Sequence, residues 1–88
     1  MEIFNQNDLS ENTFLRTFKV STSKYDLVWH YDEKDRKMTV IQASGWSFQF
    51  DDELPFKLVN NQTIFIPKLK YHRIIKGNGD LKIKIEEL

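Results

Sequence analysis

From Phe14 onward the apolar residues of this chain return at every second position, and no stretch sustains the period of a helix. A period of two places successive side chains on opposite faces of a strand. Phe14, Arg16, Phe18 and Val20 take one face against Leu15, Thr17 and Lys19, and Ser21-Thr22-Ser23 ends that run. Residues 25–31 alternate again, with Val28, His30 and Asp32 on one side and Tyr25, Leu27, Trp29 and Tyr31 on the other. After the charged turn Asp32-Glu33-Lys34-Asp35, the side chains of Arg36, Met38 and Val40 share a face. Trp46, Phe48 and Phe50 do the same after the break Ala43-Ser44-Gly45. Asp51-Asp52-Glu53 reads as a hairpin loop and residues 54–58 as the returning strand, in which Pro55 marks an edge or a strand start because it has no N–H for a ladder. Asn60-Asn61 is a turn signal that tolerates positive φ. Strands at 63–66, 71–75 and 81–85 follow, and Gly77-Asn78-Gly79 turns the last corner. Leu81, Ile83 and Ile85 face inward and Lys82 and Lys84 outward, a lysine-studded surface that discourages edge aggregation. Residues 1–12 read as a polar, turn-like lead-in with at most a short helical turn at Asp8-Leu9-Ser10-Glu11. Short strands with frequent turn signals predict an all-β sandwich or barrel.

The 88 residues are read as one domain, 1–88, near the lower end of what buries a sufficient core. Two tryptophans, three tyrosines and seven phenylalanines compensate, since each ring brings much apolar area for one backbone position. Thirteen Lys and Arg balance thirteen Asp and Glu, so no positive field gathers nucleic acid, and core packing or a chain–chain interface explains the aromatics better than base stacking. Cysteine is absent, which removes disulfides, thiolate metal sites and a cysteine nucleophile. A secreted domain this small usually needs disulfides, so a cytoplasmic location is expected (the host cytoplasm if the source is viral). The first eight residues lack the basic segment and apolar core of a signal peptide, and no apolar run is long enough to span a bilayer. Gly77-Asn78-Gly79 precedes no helix and so makes no phosphate loop, and Ser44, Ser47 and the histidines form no nucleophilic triad.

The candidate chemistry lies in His30, Asp32 and His72, which include both histidines of the chain. His30 and Asp32 project to one side of a strand, and His72 must arrive from a neighbouring one. Two imidazoles and a carboxylate suit a divalent first-row ion: Fe, Mn, Ni or Zn. Arg36 argues the other way. It shares their face, cannot ligate a metal, and can pair with Asp32, in which case the histidines are hydrogen-bonded barrel residues and no metal is held. A third reading has Arg36, His30 and Arg16 binding a small anion.

Around His72 the chain resembles the second signature of the cupin superfamily: glycine, five residues, proline, one residue, glycine, two residues, histidine. Pro67 and His72 match, Asn61 stands at the first glycine, and Leu69 replaces the second, which predicts a different turn shape. In the first signature His30 matches, while Asp32, Arg36 and Ala43 replace the second histidine, the glutamate and the glycine. The resemblance covers residues 27–86 and implies a small RmlC-like jelly-roll barrel (a double-stranded β-helix) that pairs as a homodimer. Its pocket is expected to be lined by His30, Asp32, Arg36, Met38 and His72, with Gln49 as a neighbouring polar group, and to take a divalent metal or a small anionic ligand. A non-catalytic module that has lost the metal is the alternative. A minimal iron- and 2-oxoglutarate-dependent oxygenase is a lesser one, for which Lys82 is the available co-substrate anchor.

Overall fold

A computed structural model describes residues 3–88, so Met1 and Glu2, the start of the expected lead-in, lie outside the described residues. The described residues form eight strands: β1 Asn5–Asp8, β2 Thr13–Phe18, β3 Arg36–Gln42, β4 Ser47–Phe50, β5 Phe56–Lys57, β6 Thr63–Ile66, β7 His72–Ile75 and β8 Leu81–Glu87. Every pairing is antiparallel. A five-stranded sheet runs β1-β2-β8-β3-β6 and a three-stranded sheet runs β5-β4-β7. The two sheets close on one core in the manner expected of a small jelly-roll barrel.

The core is the inner set of the period-two pattern. The larger sheet contributes Phe14, Phe18, Met38, Val40, Ile83 and Ile85 among others, and the smaller sheet contributes Phe48 and Phe50. Trp46, just ahead of β4, is fully buried and donates its indole N–H to the Gly79 carbonyl at 2.7 Å, so its polar edge is satisfied. Each such side chain stabilises the fold by roughly 1.5–3 kcal/mol relative to exposure. The corner at Gly77 sits close under this tryptophan. Asn78 donates its amide to the Ser44 carbonyl at 2.8 Å, and a Cβ at Gly77 would press on that carbonyl oxygen and on the Trp46 nitrogen.

Four departures from the sequence expectations have local causes. The polar lead-in contains β1, which pairs with β2 in the register Gln6↔Arg16, and Arg16 Nε donates to Gln6 Oε1 at 3.0 Å. Four exposed polar residues make a strand because β2 offers an open edge, and tertiary pairing overrides weak propensity. Residues 25–31 do not form a ladder strand. The Ser23 hydroxyl accepts from the Tyr25 amide at 3.3 Å and caps a 3₁₀ turn, Lys24–Asp26, after which one bridge joins His30 to His72. The strand expected over 54–58 contracts to two residues at the sheet edge, as Pro55 requires. Leu69, expected to reshape its turn, instead takes the left-handed conformation itself at φ 64°, beside Asn61 at φ 70° in its own turn. A leucine there is strained by about 1–2 kcal/mol.

The close approach at Gly77 gives a direct check. Gly77→Ala should destabilise the fold by about 1–3 kcal/mol through overpacking at a rigid backbone crossing, read as a lower chemical-denaturation midpoint. An unchanged midpoint would show that the corner can relax.

Candidate functional site

His30 and His72 are joined by a reciprocal main-chain pair. His30 N–H donates to His72 O at 3.0 Å and His72 N–H donates to His30 O at 2.9 Å. A directly opposed antiparallel pair projects both side chains to one face, within reach of each other. The ring centroids are accordingly 4.3 Å apart, edge to face. His72 is buried, stacked on Phe48 with centroids 5.5 Å apart, whereas His30 lies at the exposed end.

Both rings are oriented from behind. His72 Nδ1 lies 2.9 Å from the Lys70 carbonyl and His30 Nδ1 lies 3.1 Å from the Val28 carbonyl. A carbonyl only accepts, so in each neutral ring Nδ1 carries the proton and Nε2 keeps the lone pair. This backing by a second partner is the arrangement that metal-ligating histidines use.

Asp32 completes the group. The turn at Leu69 fastens its backbone, since Leu69 N–H donates to Asp32 O at 2.7 Å and Lys68 N–H donates to Asp35 Oδ1 at 2.8 Å. Arg36, at the start of β3, reaches Asp32 Oδ1 at 3.1 Å with Nη1. The same guanidinium contacts Glu87 Oε2 at 3.0 Å through Nη2 and 3.3 Å through Nε. Glu87 therefore draws off part of the guanidinium, and Arg36 engages only one oxygen of Asp32. The other, Oδ2, is buried without a hydrogen-bond partner among the described residues and lies 3.4 Å from His72 Nε2. One potential ligand atom from each of His30, Asp32 and His72 falls within 4.8 Å of the others.

Burial holds the His72 imidazole below its ordinary range, opposed by the Lys70 carbonyl, with His30 and Arg36 lowering it further and Asp32 raising it. A neutral His72 points a lone pair at the orphaned carboxylate oxygen. Two electron-rich atoms facing each other in a buried site repel unless a cation lies between them. The site fits a small cation on these grounds.

The group opens into a cavity of about 310 Å³, within the size range of small-molecule sites. Arg36 and Met38 line it as expected, among Phe18, Ile66, Ile74 and Ile83. Arg16 lines it too, its guanidinium 4.1 Å from the Phe4 ring centre and 4.9 Å from that of Phe14. Gln49 does not. Phe48 and Phe50 turn inward on either side of it, so Gln49 faces out, accepting from Arg73 Nε at 2.9 Å and donating to the Glu53 carbonyl at 3.0 Å. Lys82 is exposed and anchors nothing in the cavity. Glu87 escaped the sequence reading, although its parity with Ile83 and Ile85 extends the inward face of β8 to it.

No protein-family description and no curated protein matches the chain. Solved structures do. A cupin superfamily protein from Desulfitobacterium hafniense DCB-2 superposes with a TM-score of 0.70 at 20% identity, over 97% of this chain and 75% of that one. A cupin-2 domain containing protein from Shewanella frigidimarina gives 0.65 at 21% identity, over 93% and 76%. Fe(II) HppE gives 0.68 at 11% identity, over 86% of this chain and 41% of that one. At these identities the likeness establishes the fold, which is that of a cupin. No helix among the described residues is long and apolar enough to cross a membrane.

The lowered pKa of His72 sets a pH dependence. Its folded value lies below the ordinary 6.5, so the unfolded chain takes up the proton first. Stability of the metal-free protein should be full above about pH 7 and fall as pH drops through about 6.5 toward the folded value. Denaturation midpoints measured at steps from about pH 7.5 to about pH 5, above most carboxylate titrations, check this, and the slope should be smaller in His72→Gln.

Proposed function

We propose that this small cupin-fold protein binds one divalent metal ion between His30, Asp32 and His72 and receives a small molecule in the adjoining cavity. The observation that carries the proposal is the buried, unpartnered Asp32 Oδ2 facing the lone pair of His72 Nε2. Two imidazole nitrogens and one carboxylate oxygen suit Fe, Mn, Ni or Zn, and Fe(II) HppE shares the fold, which makes iron the first ion to test. When bound, such an ion supplies Lewis-acid polarisation of an oxygen-bearing ligand. The chain's own residues do the rest. The Lys70 and Val28 carbonyls fix the imidazole tautomers, Arg36 holds Asp32 by its far oxygen, and Phe48 and Met38 exclude water from the buried side.

The metal-free reading is favoured by one observation, the ion pair between Arg36 and Asp32 Oδ1. A calorimetric titration separates the two. Chelator-treated protein titrated with Fe(II) under anaerobic conditions, and with Mn, Ni and Zn, should bind one equivalent of at least one ion. Asp32→Asn should weaken that binding by at least about tenfold. Stoichiometry far below one for every ion, or equal binding by the variant, would establish the metal-free module.

We also propose that the chain pairs as a homodimer. The exposed aromatic side chains Trp29, Tyr31 and Tyr71 on the outer side of the smaller sheet support this, since aromatics are enriched at interfaces. Light scattering across micromolar concentrations should give twice the chain mass, and a constant monomer mass would refute pairing.

A further inference from the structure

A second concavity lies outside the metal cavity, between the 3₁₀ turn and β7. It encloses about 270 Å³ and is lined by Lys24, Tyr25, Leu27, Arg73, Ile74, Ile75 and Lys76. Three cations border it and no carboxylate does. The chain carries equal numbers of acidic and basic residues, so three like charges around one hollow is a local choice. Lys24, Arg73 and Lys76 have no ion-pair partner among the described residues, as is also true of Lys34, Lys57, Lys68 and Lys82, but only these three gather around one hollow. Asp26, the carboxylate nearest in sequence, lines the metal cavity instead.

The backbone adds an independent feature. The main-chain groups of His72 point away from β4, because both are bonded to His30. Ile74 has the same parity on β7, so its N–H and C=O also point toward the gap beside the 3₁₀ turn. No hydrogen bond to either is made on that side by the described residues. Arg73 is restrained at the edge of the hollow, its guanidinium 4.5 Å from the Trp29 ring centre and its Nε on Gln49. A fixed guanidinium, two lysines and an unpaired edge N–H form a donor set for a compact, multiply charged oxyanion.

We infer that the hollow between Lys24, Arg73 and Lys76 is a binding site for a phosphate-class oxyanion. The inference stands independently of the metal proposal. Leu27 and Ile74 line both concavities, so the two sites share a wall.

The test is an amide chemical-shift titration of chelator-treated protein with inorganic phosphate, run against chloride at constant ionic strength. Phosphate should produce saturable shifts centred on residues 24–27 and 73–76, and chloride should not. Lys24→Gln/Arg73→Gln/Lys76→Gln should weaken binding at least tenfold, while Asp32→Asn, which disables the metal group, should bind phosphate as the parent does. If the triple variant fails to fold, Lys24→Glu alone, a change at an exposed position, should weaken binding at least threefold. Shifts centred on His30, Arg36 and His72, matching responses to chloride, or undiminished binding by the charge variants would overturn the assignment.

Discussion

The reciprocal main-chain pair between His30 and His72 holds the site together. Among the described residues it is the one ladder contact by which the segment after the 3₁₀ turn joins the smaller sheet. Because the pair is directly opposed, side-chain convergence follows from backbone geometry and needs no special rotamer. Slipping the register by one residue would turn one imidazole to the outside. The hydrogen bonds from Leu69 to Asp32 and from Lys68 to Asp35 extend the same fastening, so the loop that carries Asp32 is tied to the turn that leads into His72.

Around this pair the charges are arranged with an asymmetry. Arg36 could have neutralised Asp32 with a two-point contact, and Glu87 prevents it by accepting from the same guanidinium. The outcome is a carboxylate steadied on one oxygen and exposed to His72 on the other. A buried polar atom without a partner among the described residues is costly in a protein interior, and this one beside two imidazoles is the observation on which the proposed cation site rests. The cavity beyond is apolar over most of its wall, with Arg16 and Asp26 as its other charged lining residues.

Much of the fold was legible because burial here follows parity. Met38, Val40, Phe48, Phe50, Leu81, Ile83 and Ile85 are inward as alternation requires, and the turns at Asn61 and Gly77 fall where turn residues stand. The same parity placed His30, Asp32 and Arg36 on one face. Parity also faced Gln49 outward, between two inward phenylalanines, so the expectation that it neighbours the pocket ran against the pattern. Parity overstated 25–31 as a strand, because a serine cap competes with a ladder and alternation does not register that competition. β1 was missed for the converse reason: its polar residues carry no periodic signal, and its existence depends on the open edge of β2.

The sequence by itself determined the strand class, the inner and outer faces, and the residue types able to hold a cation, since each follows from alternation and side-chain chemistry along one segment. Tertiary structure alone decided which carboxylate oxygen Arg36 takes, that Glu87 shares the guanidinium, that Leu69 accepts a left-handed turn, and that Lys24 meets Arg73 and Lys76 around one hollow. Those outcomes depend on sheet closure and on register between strands distant in the chain. Local pattern fixes the direction in which a side chain points, and only closure fixes what it meets.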